Sequence, residues 1–410
     1  MNIYFSGIGG VGIGPLAQIA QDAGHTVIGS DREDSLMIAA LRRRGITVTI
    51  NQDGSFLQQS HQATPIDWLI YTSALPDDHP ELVLARQLGI KTAKRDELLA
   101  HIIKEKGLKL IAVAGTHGKT TTTGMIVWLA KYFGLPVSYS VGTTLTWGPS
   151  GHYAPDSEYF VYECDEFDRN FLHFNPYISL VTSVEYDHPD TYPTADDYYA
   201  AFRQFADQST LLVTWRELQH VFNELNSVTY LDETSARLTL HGEHNRRNAS
   251  LILAAIEKLG LPAKYAADGL NKFPGTNRRF EKLANNLYTD YGHTPTEIAA
   301  TLQMARELSD NVVLVYQPHQ NIRQHEIRNQ YTDEIFKDAE TVYWLPTYLS
   351  RENPKLPILT PGELSESLAN IQIADLDDNL WQYIQAARDA GKLVLCMGAG
   401  TIDGWIRDKL

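Results

Sequence analysis

The chain is expected to fold as a three-domain α/β protein built on parallel sheets. Three observations lead there. Its 410 residues exceed one ordinary core and suit two or three domains. Short apolar runs alternate with helical patterns along the whole length, as parallel strands with crossover helices require. Two glycine-rich loops each follow a strand and open a helix, one near the N-terminus and one after residue 114.

The first block, residues 1–107, begins with the strand Ile3 to Phe5, a glycine loop and a helix from Pro15 to Ala23. Further strands are expected at Thr26 to Ile28, ending at Asp31, and at Val48 to Ile50 and Trp68 to Tyr71. The second block, 108–274, opens with Leu108 to Ala114 and continues with Tyr159 to Glu163, Ile178 to Thr182 and Leu211 to Thr214. The turn-rich Phe273-Pro274-Gly275-Thr276-Asn277 reads as a linker into the third block, 275–410. That block has strands at Leu287 to Asp290, Val312 to Tyr316, Val342 to Leu345 and Leu393 to Met397.

Composition narrows the function classes. Hydrophobic residues at 43% and charged residues at 21% are an ordinary globular mix. A net charge of -15 argues against a nucleic-acid partner, because such binding rests on Lys and Arg neutralising phosphates. Anionic small molecules must then be held by local devices such as helix N-termini. The two cysteines, Cys164 and Cys396, sit in apolar stretches and read as reduced core thiols. The start runs directly into a strand without a basic leader, and no apolar run reaches the roughly 20 residues that span a bilayer. No membrane partner and a cytoplasmic location are expected.

The strongest chemical signal is Gly115-Thr116-His117-Gly118-Lys119-Thr120-Thr121, placed between a strand and a helix. Backbone N–H groups of such a loop face phosphate, the lysine adds a charge on the β- and γ-phosphates, and the hydroxyl after it ligates Mg2+. The expected ligand is therefore ATP, on a central P-loop ATPase-like sheet, although Val113 stands where the general motif has a further glycine. Glu163-Cys164-Asp165-Glu166-Phe167-Asp168 and Asp187-His188 end the next strands and should open on the same face, where carboxylate and imidazole could hold the metal. The N-terminal Gly7-Ile8-Gly9-Gly10-Val11-Gly12, with Asp31 ending the second strand, meets the dinucleotide spacing on a Rossmann-like domain. It is compatible with a nucleotide sugar, with a dinucleotide, or with tight helix–strand packing alone.

Together these segments resemble the Mur ligase family, within it the branch that adds L-alanine to UDP-N-acetylmuramate. Further matches are Thr72-Ser73-Ala74-Leu75, His244-Asn245 with Asn248, Arg278-Arg279, Asp290 to Glu297, Gln317-Pro318-His319 and Gly398-Ala399-Gly400, so the resemblance covers nearly the whole chain. It implies a second Rossmann-like domain at the C-terminus. It also implies an ATP-dependent carboxylate–amine ligase working through an acyl phosphate. Gly115, Thr116, His117, Gly118, Lys119, Thr120 and Thr121 would hold ATP, with Asn245 on the adenine, Asp290 on the ribose and Arg279 on the polyphosphate. Thr120, Glu163 and His188 would hold Mg2+ or Mn2+; Lys119, Glu163, His188 and Arg279 would be the catalytic group. Gly7, Gly9, Gly10, Gly12, Ser30, Asp31 and Ser73 would take the UDP-sugar. Tyr291, His293, Thr294, His319 and Arg323 would form the amino-acid acceptor site. The partners would be these small molecules, for a monomer or homodimer, with closure of the last block on the middle one.

Three departures stand out. Thr294 replaces a second histidine and Gln320 replaces an arginine in the acceptor region, which bears on which amino acid is added. The stretch from Tyr199 to His241 is short for the family's central domain. No lysine lies between Lys131 and Lys258, so a carbamylated lysine has no candidate, in keeping with the alanine-adding branch. The competing readings are a muropeptide-recycling ligase that adds a tripeptide, an NAD-linked oxidoreductase or nucleotide-dependent regulator built on the first loop, and a nucleotide-binding module that has lost ligation.

Overall fold

A computed structural model describes the chain except for residues 11, 73, 74, 190, 260–262 and 351, and the side chains of 263 and 264. The described residues form three sheets, and the chain divides into two compact units. The first unit comprises Met1–Glu233 and Leu251–Phe273, and the second Thr234–Ser250 and Pro274–Leu410.

In the first unit, Asn2–Ser6 lies at the centre of a five-stranded parallel sheet between Thr26–Ser30 and Trp68–Tyr71, with Thr47–Thr49 and Lys91–Lys94 at the edges. Ile3, Tyr4 and Phe5 are fully buried because helices cover both faces of such a sheet, so the strand reads as a continuous apolar run. The helix Ile13–Asp22 packs Leu16, Ala17, Ile19 and Ala20 into this core. Chain order reverses at the central strand, and that leaves a crevice at the C-terminal strand ends where loops can hold a ligand.

The unit's second sheet has seven strands. Lys109–Ala114 runs parallel between Tyr159–Glu163 and Ile178–Val181, Leu211–Trp215 and Val228–Leu231 extend one side, and Ser138–Ser140 with the antiparallel Gly151–His152 extends the other. The three segments that carry the expected chemistry therefore leave adjacent middle strands at their shared C-terminal end. The two sheets are tied through the helix Arg95–Glu105: buried Asp96 accepts the Tyr162 hydroxyl, and Lys94, just before the helix, pairs with Asp168.

The second unit is built on a six-stranded sheet in the order Glu281–Ala284, Leu287–Asp290, Leu393–Met397, Val312–Tyr316, Thr341–Trp344 and Ile371–Ile373; only the first pairing is antiparallel. Val312–Tyr316 and Leu393–Met397 are buried on both faces, so apolar clusters form on either side. Thr234–Ser250, expected within the middle block, packs here instead. Arg246 forks onto Glu307 at 2.8 and 3.0 Å, and Glu307 also accepts the Gly242 amide. Polar side-chain clamps of this kind carry no hydrophobic period, so the sequence does not reveal them. No helix among the described residues is long and apolar enough to cross a membrane.

Candidate phosphate, sugar and acceptor sites

The loop after Ala114 can turn sharply only because Gly115 and Gly118 take φ of 135° and 83°. A Cβ on Gly115 would lie 2.3 Å from the Thr182 hydroxyl, so the loop runs hard against the extension of the neighbouring strand. That extension braces it. The amides of Thr116 and His117 donate to the Ser183 carbonyl and hydroxyl at 3.1 and 2.9 Å, and the Thr116 hydroxyl donates to the Glu185 carbonyl at 2.8 Å. Lys119 and Thr120 then open the 14-residue helix Lys119–Tyr132, with Thr121 in its first turn.

Lys119 folds back on the loop, donating to the Gly115 carbonyl at 2.6 Å and to both oxygens of Glu166 at 2.8 and 3.1 Å. Burial works against both charges, but the pair prevails: the lysine pKa is raised by Glu166 with Asp165 and Glu163, and that of Glu166 is lowered by Lys119 and His188. Asp165 beside them is raised by burial. Thr120 donates to Glu163 at 2.8 Å, and the Gly142 amide holds the other Glu163 oxygen at 2.9 Å. His188, with a left-handed φ of 58°, points Nε2 at Glu166 from 3.6 Å rather than at Glu163. Backbone strain in a non-glycine residue is commonly kept at functional sites. Burial depresses the His188 imidazole, yet Glu166 and Asp187 outweigh it and raise its pKa.

Among the described residues no group of three or more His, Cys, Asp or Glu is arranged to hold a metal by itself. The Thr120 hydroxyl beside the Glu163 carboxylate fits Mg2+ all the same, since that ion takes one or two protein oxygens and completes its shell with water and substrate phosphates.

At the first glycine loop, Gly7 has φ of 78° and a Cβ there would press on Thr72 at 3.0 Å. The amides of Gly7 and Ile8 donate to the Ser30 carbonyl, the Gly9 amide to Asp31 at 2.8 Å, and the Gly10 amide to Gly7. Gly12 caps the following helix, and a Cβ on it would meet Arg95 at 2.7 Å. The Ser30 hydroxyl does not face outward: it is fully buried and donates to Glu81. Ser73 lies outside the described residues.

In the second unit, Asp290 is buried and commits its two oxygens to the amides of Gly292 and Phe280, each at 2.7 Å, where the resemblance implied a ribose contact. It thereby fixes the turn that carries Arg279, whose guanidinium stands 5.1 Å from the Tyr291 ring, with Arg278 at 4.7 Å. His293 and His319 meet edge to face at 5.5 Å, and His319 stacks on Tyr348. Burial, with His293 and Arg323 nearby, pushes His319 down to about 4; burial also lowers His293. Thr294 is the N-cap of the helix Pro295–Arg306, in a reciprocal capping box with Glu297. Asn245 donates to the His241 carbonyl at 3.0 Å. Gln320 takes a φ of 60° at the start of the helix Asn321–Ile327, which carries Arg323.

Lys119, Thr120, Glu163 and His188 thus converge in the first unit, and Arg279, Tyr291, His293, His319 and Arg323 are neighbours in the second. Three participants carry little signal in the sequence. Glu166 is visible only as one acid in a run, and nothing marks Gly142 or Thr182 as wall residues.

Comparison with known proteins matches residues 2–106 to the Mur ligase family catalytic domain, 113–228 to the Mur ligase middle domain and 278–400 to the Mur ligase glutamate ligase domain. The chain is 32% identical to the UDP-N-acetylmuramate–L-alanine ligase of Carboxydothermus hydrogenoformans, over 98% of this chain and 94% of that protein. It is 33% identical to the ligase of the same name from a Nocardioides species, over 98% and 93%. Among solved structures, UDP-N-acetylmuramate-alanine ligase from Thermotoga maritima superposes with a TM-score of 0.78 at 25% identity, covering 100% of this chain and 98% of that one. A murein peptide ligase from Psychrobacter arcticus shares the fold, with a TM-score of 0.64 at 22% identity over 100% and 98% of the two chains.

Proposed function

The chain belongs to the Mur ligase family, and from that premise we propose that it joins L-alanine to the carboxylate of UDP-N-acetylmuramate at the expense of ATP, in peptidoglycan synthesis. The observation that carries this reading is the convergence of Lys119, Thr120 and Glu163 on one phosphate loop, in a chain whose relatives carry that activity.

A carboxylate oxygen of the sugar acid attacks the γ-phosphorus of ATP, the bond from that phosphorus to the bridging oxygen breaks, and ADP leaves. The alanine amine then adds to the carbonyl carbon of the acyl phosphate. The tetrahedral intermediate expels inorganic phosphate, and the amine proton passes to solvent. Such transfer is accelerated mainly by placement and charge neutralisation. Lys119 supplies the ammonium that meets the γ-phosphate, leaving its resting partner Glu166 to do so. Thr120 and Glu163, with His188 alongside, would hold Mg2+ or Mn2+, which when bound offsets phosphate charge. The Gly7 to Gly12 loop and Asp31 take the diphosphate and ribose of the UDP-sugar on a helix N-terminus. Asn245 and Arg279 serve the nucleotide, and Asp290 acts by anchoring the Arg279 turn. Tyr291, His293, His319 and Arg323 receive the amino acid. Burial lowers the pKa of both imidazoles, and Arg323 beside them supplies a cation for its carboxylate. Thr294 shapes that site through its helix cap.

The test is phosphate release by the purified protein with Mg-ATP, UDP-N-acetylmuramate and a panel of amino acids. Release should require both the sugar acid and a free amino acid, with L-alanine preferred. Release with only a tripeptide acceptor would reassign the chain to a muropeptide ligase, and release from neither would leave a binding module.

A further inference from the structure

The first sheet contains a buried acid that the chemistry above does not use. Glu81, in the first turn of the helix Pro80–Gln87, is fully buried, and its partners are hydroxyls. Tyr4 donates to one carboxylate oxygen at 2.5 Å, while Ser6 and Ser30 both donate to the other, Ser30 at 2.7 Å. Ser6 and Ser30 are the last residues of the central strand and of its neighbour. Ser6 directly precedes Gly7, and the Ser30 carbonyl receives the amides of Gly7 and Ile8. On the other side of the two hydroxyls lies Gln52, just past the strand Thr47–Thr49 and only partly buried. Its Nε2 stands 3.3 Å from the Ser6 oxygen and 3.4 Å from the Ser30 oxygen.

Counting hydrogens gives this chain a direction. A serine hydroxyl has one hydrogen, and both serines have given theirs to Glu81. Toward Gln52 they can only accept, so the amide must turn its NH2 to the serines and its Oε1 away from them. In Glu81→Gln an NH2 turned toward the serines would free both hydroxyls to donate, and the Gln52 amide could then sit either way round.

We infer that Glu81 is a positioning residue for the sugar-nucleotide site: through Ser6 and Ser30 it holds Gln52 as a hydrogen-bond acceptor for an N–H or O–H donor of the bound nucleoside. The inference rests on the reading that the adjoining glycine loop holds a UDP-sugar. A carboxyl group with no ion-pair partner among the described residues is a costly way to fill a core, and strand ends beside a ligand crevice are where directed polarity has a use.

The experiment compares wild type, Glu81→Gln, Gln52→Leu and the double variant in the complete ligase assay, with UDP inhibition and thermal melting measured alongside. Gln52→Leu should raise KM for UDP-N-acetylmuramate about tenfold and weaken UDP inhibition equally, as loss of one ligand hydrogen bond would do, and Glu81→Gln, which only frees the amide's orientation, should raise both about two- to threefold, while kcat and KM for ATP stay as in wild type. The double variant should be no worse than Gln52→Leu alone, since Glu81 acts only through the Gln52 contact. A lowered melting temperature with unchanged KM, or effects that multiply, overturns the inference and leaves Glu81 a folding device. Should Glu81→Gln not fold, Gln52→Leu decides alone: an unchanged KM for the sugar nucleotide overturns it. Wild type that binds no UDP would defeat the proposed function instead, and that is a different result from wild type and Glu81→Gln binding UDP alike.

Discussion

Lys119 makes its resting contacts with Glu166 and the Gly115 carbonyl, so the cation is already in place at the head of its helix. Lys119→Ala should lower kcat/KM for ATP about 10²- to 10³-fold, the usual cost of one preorganised electrostatic contact. Unchanged phosphate release would remove the basis of the mechanism. Gly142 offers a subtler check, because a Cβ there would lie 2.6 Å from a Glu163 oxygen. Gly142→Ala must displace that carboxylate and should raise the Mg2+ concentration needed for half-maximal rate about tenfold or more; a magnesium titration identical to wild type would refute it. Lys119 and Thr120 were legible in the sequence because a phosphate loop is written in consecutive residues. Gly142 was not, because its contact with Glu163 spans 21 positions and depends on which strands pair.

At the scale of elements, the central strands were readable, and of the edge strands Thr47–Thr49 was while others were not. Val312–Tyr316 and Leu393–Met397 are buried on both faces and appear as unbroken apolar runs. Lys91–Lys94 and Glu281–Ala284 lie at sheet edges, where polar side chains are tolerated and no periodic signal remains. Caps were equally hard to separate from function: Thr294 stands in a stretch read as an acceptor site, yet its hydroxyl serves its own helix. Thr294→Ala should therefore cost about 1 kcal/mol of stability, measured by denaturant unfolding, and full stability would show the cap to be idle. The clamp on residues 234–250 is open to pH. Arg246 is the main cause that holds Glu307 down at about 2, below its ordinary 4.5. A depressed acid stabilises above the unfolded pKa and loses that contribution as pH falls through the folded one. Glu307→Gln should thus cost about 1 to 2 kcal/mol at pH 7, allowing for partial exposure, with the gap to wild type closing between pH 4.5 and 2. A gap independent of pH would mean that the charge plays no part.

The whole molecule carries a charge of -15 and must admit polyanionic substrates. Long-range repulsion slows their approach at low salt and is screened beyond about 10 Å at 0.1 M. We expect kcat/KM for ATP to rise as ionic strength increases from about 0.01 to 0.15 M, opposite to the behaviour of a basic enzyme. A steady fall would show that local cations dominate capture.

Cys164 sits beside Glu163 in the chain yet is wholly enclosed, and Cys396 is equally hidden in the other unit. Burial pushes both thiols up, Cys396 to about 12, so neither offers the thiolate that electrophiles and peroxides attack. Iodoacetamide or mild oxidants should leave the folded enzyme untouched. Sulfur reagents therefore make poor inhibitors of this ligase, and sudden labelling of either cysteine would be a sensitive alarm that the native structure has come apart.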